Sequence, residues 1–144
     1  MSCGVVMLDV IGRVFLAHAT KTPHWDIPKG HRNYGEMPRD ASLRELTEET
    51  GIVLESERLV DLGCFKYRSD KSLHLFGVRI ALNEIDIARC ICTSMFLSSC
   101  TGRMTPEMDS FRWSEPDEAK TLVNYSLERL FTTRLQLVDL HHRL

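Results

Sequence analysis

The chain predicts a sandwich of helices on a mixed sheet, of the α/β or α+β class. Short β-rich runs come in pairs around turn residues, two or three helical stretches stand among them, and the two kinds do not alternate as regular β-α-β units. At 144 residues the expectation is a single domain, 1–144, large enough for a real hydrophobic core.

Residues 3–9 (CGVVMLD) and 13–18 (RVFLAH) read as two strands, with Gly12 supplying the hairpin turn between them. A polar loop carrying Lys21 and His24 follows. Trp25 to Ile27 is then a brief extended piece, because Pro28 lacks an N–H and fits only a strand end or edge. The first helix starts at Pro38, where a missing N–H is not needed. That leaves Met37 at the N-cap with no capping side chain, while Asp40 in the first turn complements the helix dipole. Gly51 ends this helix.

Leu59 to Tyr67 and Leu73 to Leu82 form a second predicted hairpin, turned at Arg68–Lys71. His74, Phe76, Val78 and Ile80 alternate on one face of it, which makes His74 a partly buried core histidine rather than a ligand. Residues 83–106 show no clean period and read as a long loop near the site. Phe111 to Trp113 is one more strand, and residues 114–119 open a helix. A final helix runs from about Ser126, with Leu127, Leu130, Phe131, Leu135 and Val138 as its apolar stripe.

Composition narrows the function. Eighteen Lys and Arg against 20 Asp and Glu give a net charge of −2, which carries no nucleic-acid signature, although a local basic face is compatible with it. The N-terminal residues offer no secretory pattern and no apolar run reaches membrane-spanning length, so a cytoplasmic protein without a membrane partner is expected. The five cysteines are odd in number and irregularly spaced, which argues for reduced thiols. Cys90, Cys92 and Cys100 lack the paired C-x₂-C spacing of a structural zinc site.

Residues 30–52 carry the chemistry. Glu45, Glu48 and Glu49 recur at the i, i+3, i+4 spacing, which places three carboxylates on one narrow strip of the helix. Like charges so spaced cost about 0.2–0.5 kcal/mol per pair, so the strip is either a solvated face or a cation holder. Leu43 and Leu46 are expected to pack on the sheet while the acids face outward into a cleft.

Gly30, Glu36, Arg44, Glu45, Leu46, Glu48, Glu49, Gly51 and Ile52 fill the pattern G-x₅-E-x₇-R-E-U-x-E-E-x-G-U in register, U being a bulky apolar residue. The stretch resembles the signature of the Nudix hydrolases. The resemblance implies a Nudix-type α/β/α sandwich over nearly the whole chain and hydrolysis of a pyrophosphate linkage in a nucleoside diphosphate linked to another group. Such a linkage is strongly anionic and repels hydroxide; Mg²⁺ or Mn²⁺ neutralises its oxygens and lowers the pKa of a bound water. By the resemblance, Glu45, Glu48 and Glu49 are the metal ligands together with the backbone carbonyl of Lys29, and Arg44 and Glu36 are orienting residues. The general base is either Glu45 or a downstream acid, for which Glu107 stands in the matching place.

Two further stretches resemble the diadenosine polyphosphate hydrolase branch: H-W-D-I-P-K-G-H at 24–31 and G-C-F-K-Y at 63–67. They suggest Tyr67 either as a face for a base or as a strand-end aromatic packed on the sheet, with Lys29, His31 and Lys66 meeting phosphates. Trp25 is either a second base platform or part of the core. Tyr34-Gly35-Glu36 replaces that branch's P-G-E, and residues 83–106 have no counterpart in it. The expected substrate is a nucleotide small molecule, first a dinucleoside polyphosphate or related nucleoside polyphosphate. A 5′-triphosphorylated RNA end, the one nucleic acid that would be a partner, and a nucleotide sugar or dNTP are the alternatives. A nucleotide-sensing module without turnover is the alternative of another class.

Overall fold

A computed structural model describes residues 1–144. In chain order its elements are β1 (Ser2–Asp9), β2 (Val14–Ala19), β3 (Trp25–Asp26), β4 (Lys29–His31), α1 (Pro38–Thr50), β5 (Val60–Arg68), β6 (Lys71–Ile80), β7 (Met95–Leu97), β8 (Met104–Pro106), β9 (Met108–Ser114), α2 (Pro116–Leu122), α3 (Tyr125–Thr133) and α4 (Leu137–Arg143). Strand β1 is apolar on both faces because it lies inside the sheet, parallel to β6 and antiparallel to β2 and β4. The seven-stranded sheet is ordered β3-β2-β1-β6-β5, with β9 joined to β2 and β4 to β1.

Both faces are covered. Val5, Met7, Phe15, Phe76, Val78 and Ile80 pack with Leu46 of α1 on one side, and Leu43 lies against the same cluster. Val6, Leu8, Leu16, Leu73 and Leu75 pack with Leu127, Phe131 and Leu140 of α3 and α4 on the other. The result is the α/β/α sandwich with a mixed sheet that the sequence predicts.

Local signals hold where they have a cause. The β1–β2 turn is closed by Asp9, whose Oδ1 accepts from the N–H groups of Ile11 and Arg13, while Gly12 takes φ of 91°. Helix α1 starts at Pro38 behind an extended Met37 that makes no side-chain cap, and ends on Gly51 at φ 78°. The β5–β6 turn is tighter than expected, with Arg68 paired to Lys71. His74 is half-buried, stacked on Phe76 at 4.8 Å and bonded through Nε2 to Asp61 at 2.8 Å. All five cysteines are free thiols.

Two expectations need correction. Residues 83–106 are not one long loop: they contain a short 3₁₀ turn at Ile87–Arg89 and the β7–β8 hairpin. This excursion caps α1, because Thr93 and Ser94 donate backbone N–H groups to the carbonyl of Glu48, and Ile91 donates to that of Thr50. The last helix is not continuous either. It breaks between Thr133 and Leu137, with Gln136 extended, and Leu135, Leu137 and Leu140 are all buried. An unbroken helix would set Leu135 and Leu137 about 200° apart, so only one could face the sheet. Val138, assigned to the stripe, is 57% exposed in consequence.

Candidate active site

The loop before α1 and the helix face behind it are joined through Arg44. Its Nε and Nη2 donate to the two oxygens of Glu36 at 2.9 and 3.0 Å, and Nη2 also donates to the carbonyl of His31 at 2.9 Å. Its Nη1 donates to Glu45 at 2.9 Å and to Glu48 at 3.2 Å. One planar guanidinium therefore ties β4, the loop and two carboxylates of the strip together, a task that needs the fork geometry of arginine. The Arg44 bonds, with the N–H of Asn33, hold the Glu36 carboxyl below the usual range.

The carboxylates are not equally placed. Glu45 is 8% and Glu49 3% exposed, whereas Glu48 stays half-open. The expectation that all three acids face outward is therefore corrected: β4 crosses over the helix and closes above two of them. Gly30 makes this possible, since a Cβ there would lie 2.1 Å from Cδ of Glu45 and 2.2 Å from its Oε2. Glu49 reaches the same strand from below, its Oε1 accepting from the N–H of Lys29 at 2.9 Å.

Burial at this depth disfavours charge. It pushes the Glu49 carboxyl up to about 8, against the lowering effect of the Lys29 N–H and ammonium. It also raises Glu45, opposed by Arg44 and assisted by the charges of Glu48 and Glu107. Lys29 does not neutralise the pair. Its Nζ pairs with Asp26 at 2.8 Å, and burial, which would lower the lysine, is outweighed by Asp26 together with Tyr67 and Glu49.

The three glutamates do not converge as a ready-made cluster of metal ligands, because Arg44 lies between Glu45 and Glu48 while Glu49 is turned to Lys29. The donor set nonetheless fits a hard divalent cation. It is all oxygen, its two buried carboxylates lack a full counter-charge, and the bare Gly30 makes room for the Glu45 carboxylate beside the β4 backbone.

Glu107 joins the site through the excursion. Its N–H donates to Ser94 at 2.8 Å and its carbonyl accepts from Thr20 at 3.0 Å, so its backbone is clamped on both sides near Glu45. Tyr67 lies at the far side of Lys29, whose Nζ is 5.9 Å from the ring centroid. Asn124 Nδ2 donates to the Tyr67 hydroxyl at 3.0 Å, and its Oδ1 caps α3 by accepting from Leu127.

A family model described as the NUDIX domain matches residues 1–134. The chain belongs to the Nudix family. An uncharacterized 17.7 kDa protein of Enterobacteria phage T4 is 34% identical over 139 residues, covering 90% of this chain and 91% of the relative. An RNA pyrophosphohydrolase of Xanthomonas axonopodis is 31% identical over 121 residues; the match takes in 76% of this chain but 56% of the relative, so the chain spans about half the length of that protein. Among solved structures, a C. elegans Ap4A hydrolase binary complex superposes with a TM-score of 0.64 at 24% identity, covering 94% of this chain and 98% of the other. That likeness shows the Nudix fold. Family and relatives together support a hydrolase that acts on pyrophosphate bonds.

Within this Nudix domain the structure brings Arg44, Glu45, Glu48, Glu49, the Lys29 backbone and Glu107 into one neighbourhood. The imidazole of His31 is exposed, and its carbonyl is the group that meets Arg44. Lys66 lies exposed on β5. Trp25 packs edge-on to His18 at 5.2 Å with Arg112 over its ring, among the residues of the α3 face. Sequence reasoning missed Asn124, although an Asn directly before a helical stretch is itself a capping signal. No helix is long and apolar enough to cross a membrane.

Proposed function

We propose that this chain hydrolyses a pyrophosphate linkage in nucleoside polyphosphates with the help of Mg²⁺ or Mn²⁺, dinucleoside polyphosphates being the first substrate class. The observation that carries the reading is the pair of buried carboxylates, Glu45 and Glu49, drawn under the Lys29–Gly30 backbone where Gly30 leaves room. Without a cation, two such charges are costly to bury.

In this reading Glu45, Glu48, Glu49 and the carbonyl of Lys29 hold the ion. When bound, it neutralises the diphosphate oxygens and lowers the pKa of a water. Arg44, braced by Glu36, keeps Glu45 and Glu48 in position. The proton of the attacking water passes to Glu45 or to Glu107, and single glutamine variants separate the two. Tyr67 offers its ring to the base, and Lys29 and His31 line the approach of the phosphates.

A 5′-triphosphorylated RNA end is the second reading. The 31% identity to RNA pyrophosphohydrolases favours it. A module that senses nucleotides without turnover has no need of the full carboxylate set present here.

Hydrolysis of a panel of dinucleoside polyphosphates, nucleotide sugars, dNTPs and triphosphorylated RNAs in ¹⁸O-water tests the proposal. Labelled phosphate on a product of one class is expected; no labelled product from any member would overturn it.

A further inference from the structure

Strand β9 begins directly after Glu107, whose charge is felt at Glu45, and soon departs from regular pairing with β2. Met108 pairs with Ala19 and Ser110 with His18, so Asp109 is an extra residue in β9, a bulge just beyond Glu107. A bulge bends its strand and leaves the extra residue without a place in the ladder; beside a site it re-aims the side chains around it. This one is held by a side chain of the opposite strand, with Nδ1 of His18 2.6 Å from Oδ1 of Asp109.

The other ring nitrogen completes a tie. Nε2 of His18 lies 2.9 Å from the carbonyl oxygen of Thr22, which can only accept, so Nε2 carries a proton. The 2.6 Å contact with Asp109 holds a proton as well, because a lone pair facing an anionic oxygen at that distance would be repelled. The imidazolium satisfies both partners, donating on one side to β9 and on the other to the loop 20–24. Trp25 meets the ring edge-on at 5.2 Å, and Arg112 stands over Trp25 at 5.5 Å.

The loop that His18 grips in turn grips Glu107. Thr20 donates its N–H to the carbonyl of Glu107 at 3.0 Å and its hydroxyl to the carbonyl of Pro106 at 2.6 Å. Lys21 donates through Nζ to Oγ of the buried Ser98 at 2.6 Å, which fastens the same loop to the β7–β8 hairpin. Lys21 does so at φ of 64°, a left-handed conformation that a lysine keeps only where its surroundings enforce it. Glu107 is thus reached twice from one imidazole, along β9 through the bulge and across the loop through Thr20.

We propose that His18, together with Asp109, is a positioning residue for Glu107. Its ring fixes both the bulge that follows Glu107 and the loop that clamps the Glu107 carbonyl, and so sets where that carboxylate stands in the site. The assignment rests on the reading of Glu107 as a group that serves the reaction.

The test is steady-state hydrolysis, in Mg²⁺ buffer, of diadenosine tetraphosphate or a triphosphorylated oligoribonucleotide, whichever is cleaved. His18→Ala removes both bonds and should lower kcat about tenfold or more, with KM changed by less than about twofold. Asp109→Ala should act in the same direction. Asp109→Asn is the conservative variant: its amide can accept from the charged ring or donate to the neutral one, so the tie survives and kcat should stay within about threefold of the wild type. Amide hydrogen exchange reads the clamp without turnover. Exchange at Thr20 should quicken about tenfold in His18→Ala and Asp109→Ala and not in Asp109→Asn. The two Asp109 variants carry the comparison by themselves if His18→Ala does not fold.

Wild-type kcat and unchanged Thr20 exchange in His18→Ala and Asp109→Ala would overturn the assignment alone. So would a rise in KM with kcat unaltered, since the ring would then act on binding through Trp25. Equal losses in Asp109→Asn and Asp109→Ala would also overturn it, because the carboxylate charge and not the tie would matter. Wild-type kcat in Glu107→Gln, or no hydrolysis of any member of the substrate panel, would refute the reading of Glu107 and the positioning role with it, even where Thr20 exchange depends on His18.

Discussion

Gly30 and Glu45 occupy space that only one of them could fill with a side chain. The Glu45 carboxylate lies where a Cβ on residue 30 would be, 2.1 Å from its Cδ, and the strand above can close over the helix only because that atom is absent. Gly30→Ala should therefore displace Glu45 while leaving the fold intact. A displacement on the order of 1 Å at a reacting centre costs about 100-fold. We expect kcat/KM to fall at least that far with an unchanged circular dichroism spectrum; near-normal turnover would show that Glu45 need not lie under β4.

Arg44 makes its contacts through a planar fork, and Lys cannot reproduce them. Arg44→Lys should lower kcat about tenfold or more, because Glu45 and Glu48 lose their shared donor and Glu36 its paired bonds. Steady-state kinetics check this, and a lysine variant with wild-type kcat would reduce Arg44 to a surface charge.

Glu49 links stability to pH. Its carboxyl is pushed up to about 8 in the folded chain, well above its unfolded value, so folding takes up a proton between about 4.5 and 8. The cost of this group begins above the unfolded value and is fully present above about 8. In EDTA, the melting temperature should fall as pH rises through that window, and Glu49→Gln should flatten the fall. The variant should also lose turnover by orders of magnitude. A wild-type melting profile indistinguishable from that of the variant would contradict the burial argument.

For Tyr67 the ring and the hydroxyl can be separated. Tyr67→Phe loses the bond to Asn124 and keeps the face, whereas Tyr67→Ala loses both. Loss of a base stack is worth about 1–3 kcal/mol, so the alanine variant should raise KM for adenine-containing substrates roughly tenfold, with little effect on inorganic polyphosphate. Equal effects on both would count against stacking.

The box was legible in the sequence because its constraints are local: a helical period sets the three glutamates, and Pro38 and Gly51 mark the ends of the helix. The paired strands were legible through the turn residues between them, and the α/β/α sandwich through the family resemblance that the box carries. What could not be read depends on distant partners. The burial of Glu45 and Glu49 comes from β4 passing overhead, which helix periodicity does not reveal. The β7–β8 hairpin is held by carbonyls at the end of α1, and the break after Thr133 follows from two leucines that must reach the same core.

The central claim is that the carboxylates of α1 work through a divalent cation. Turnover of diadenosine tetraphosphate and of a triphosphorylated oligoribonucleotide, measured after EDTA treatment and again after readdition of metal, tests it most directly. The account predicts that EDTA abolishes hydrolysis of whichever substrate is cleaved, and that Mg²⁺ or Mn²⁺, but not Ca²⁺ alone, restores it in the wild type and not in Glu49→Gln. Hydrolysis that survives EDTA undiminished would contradict it.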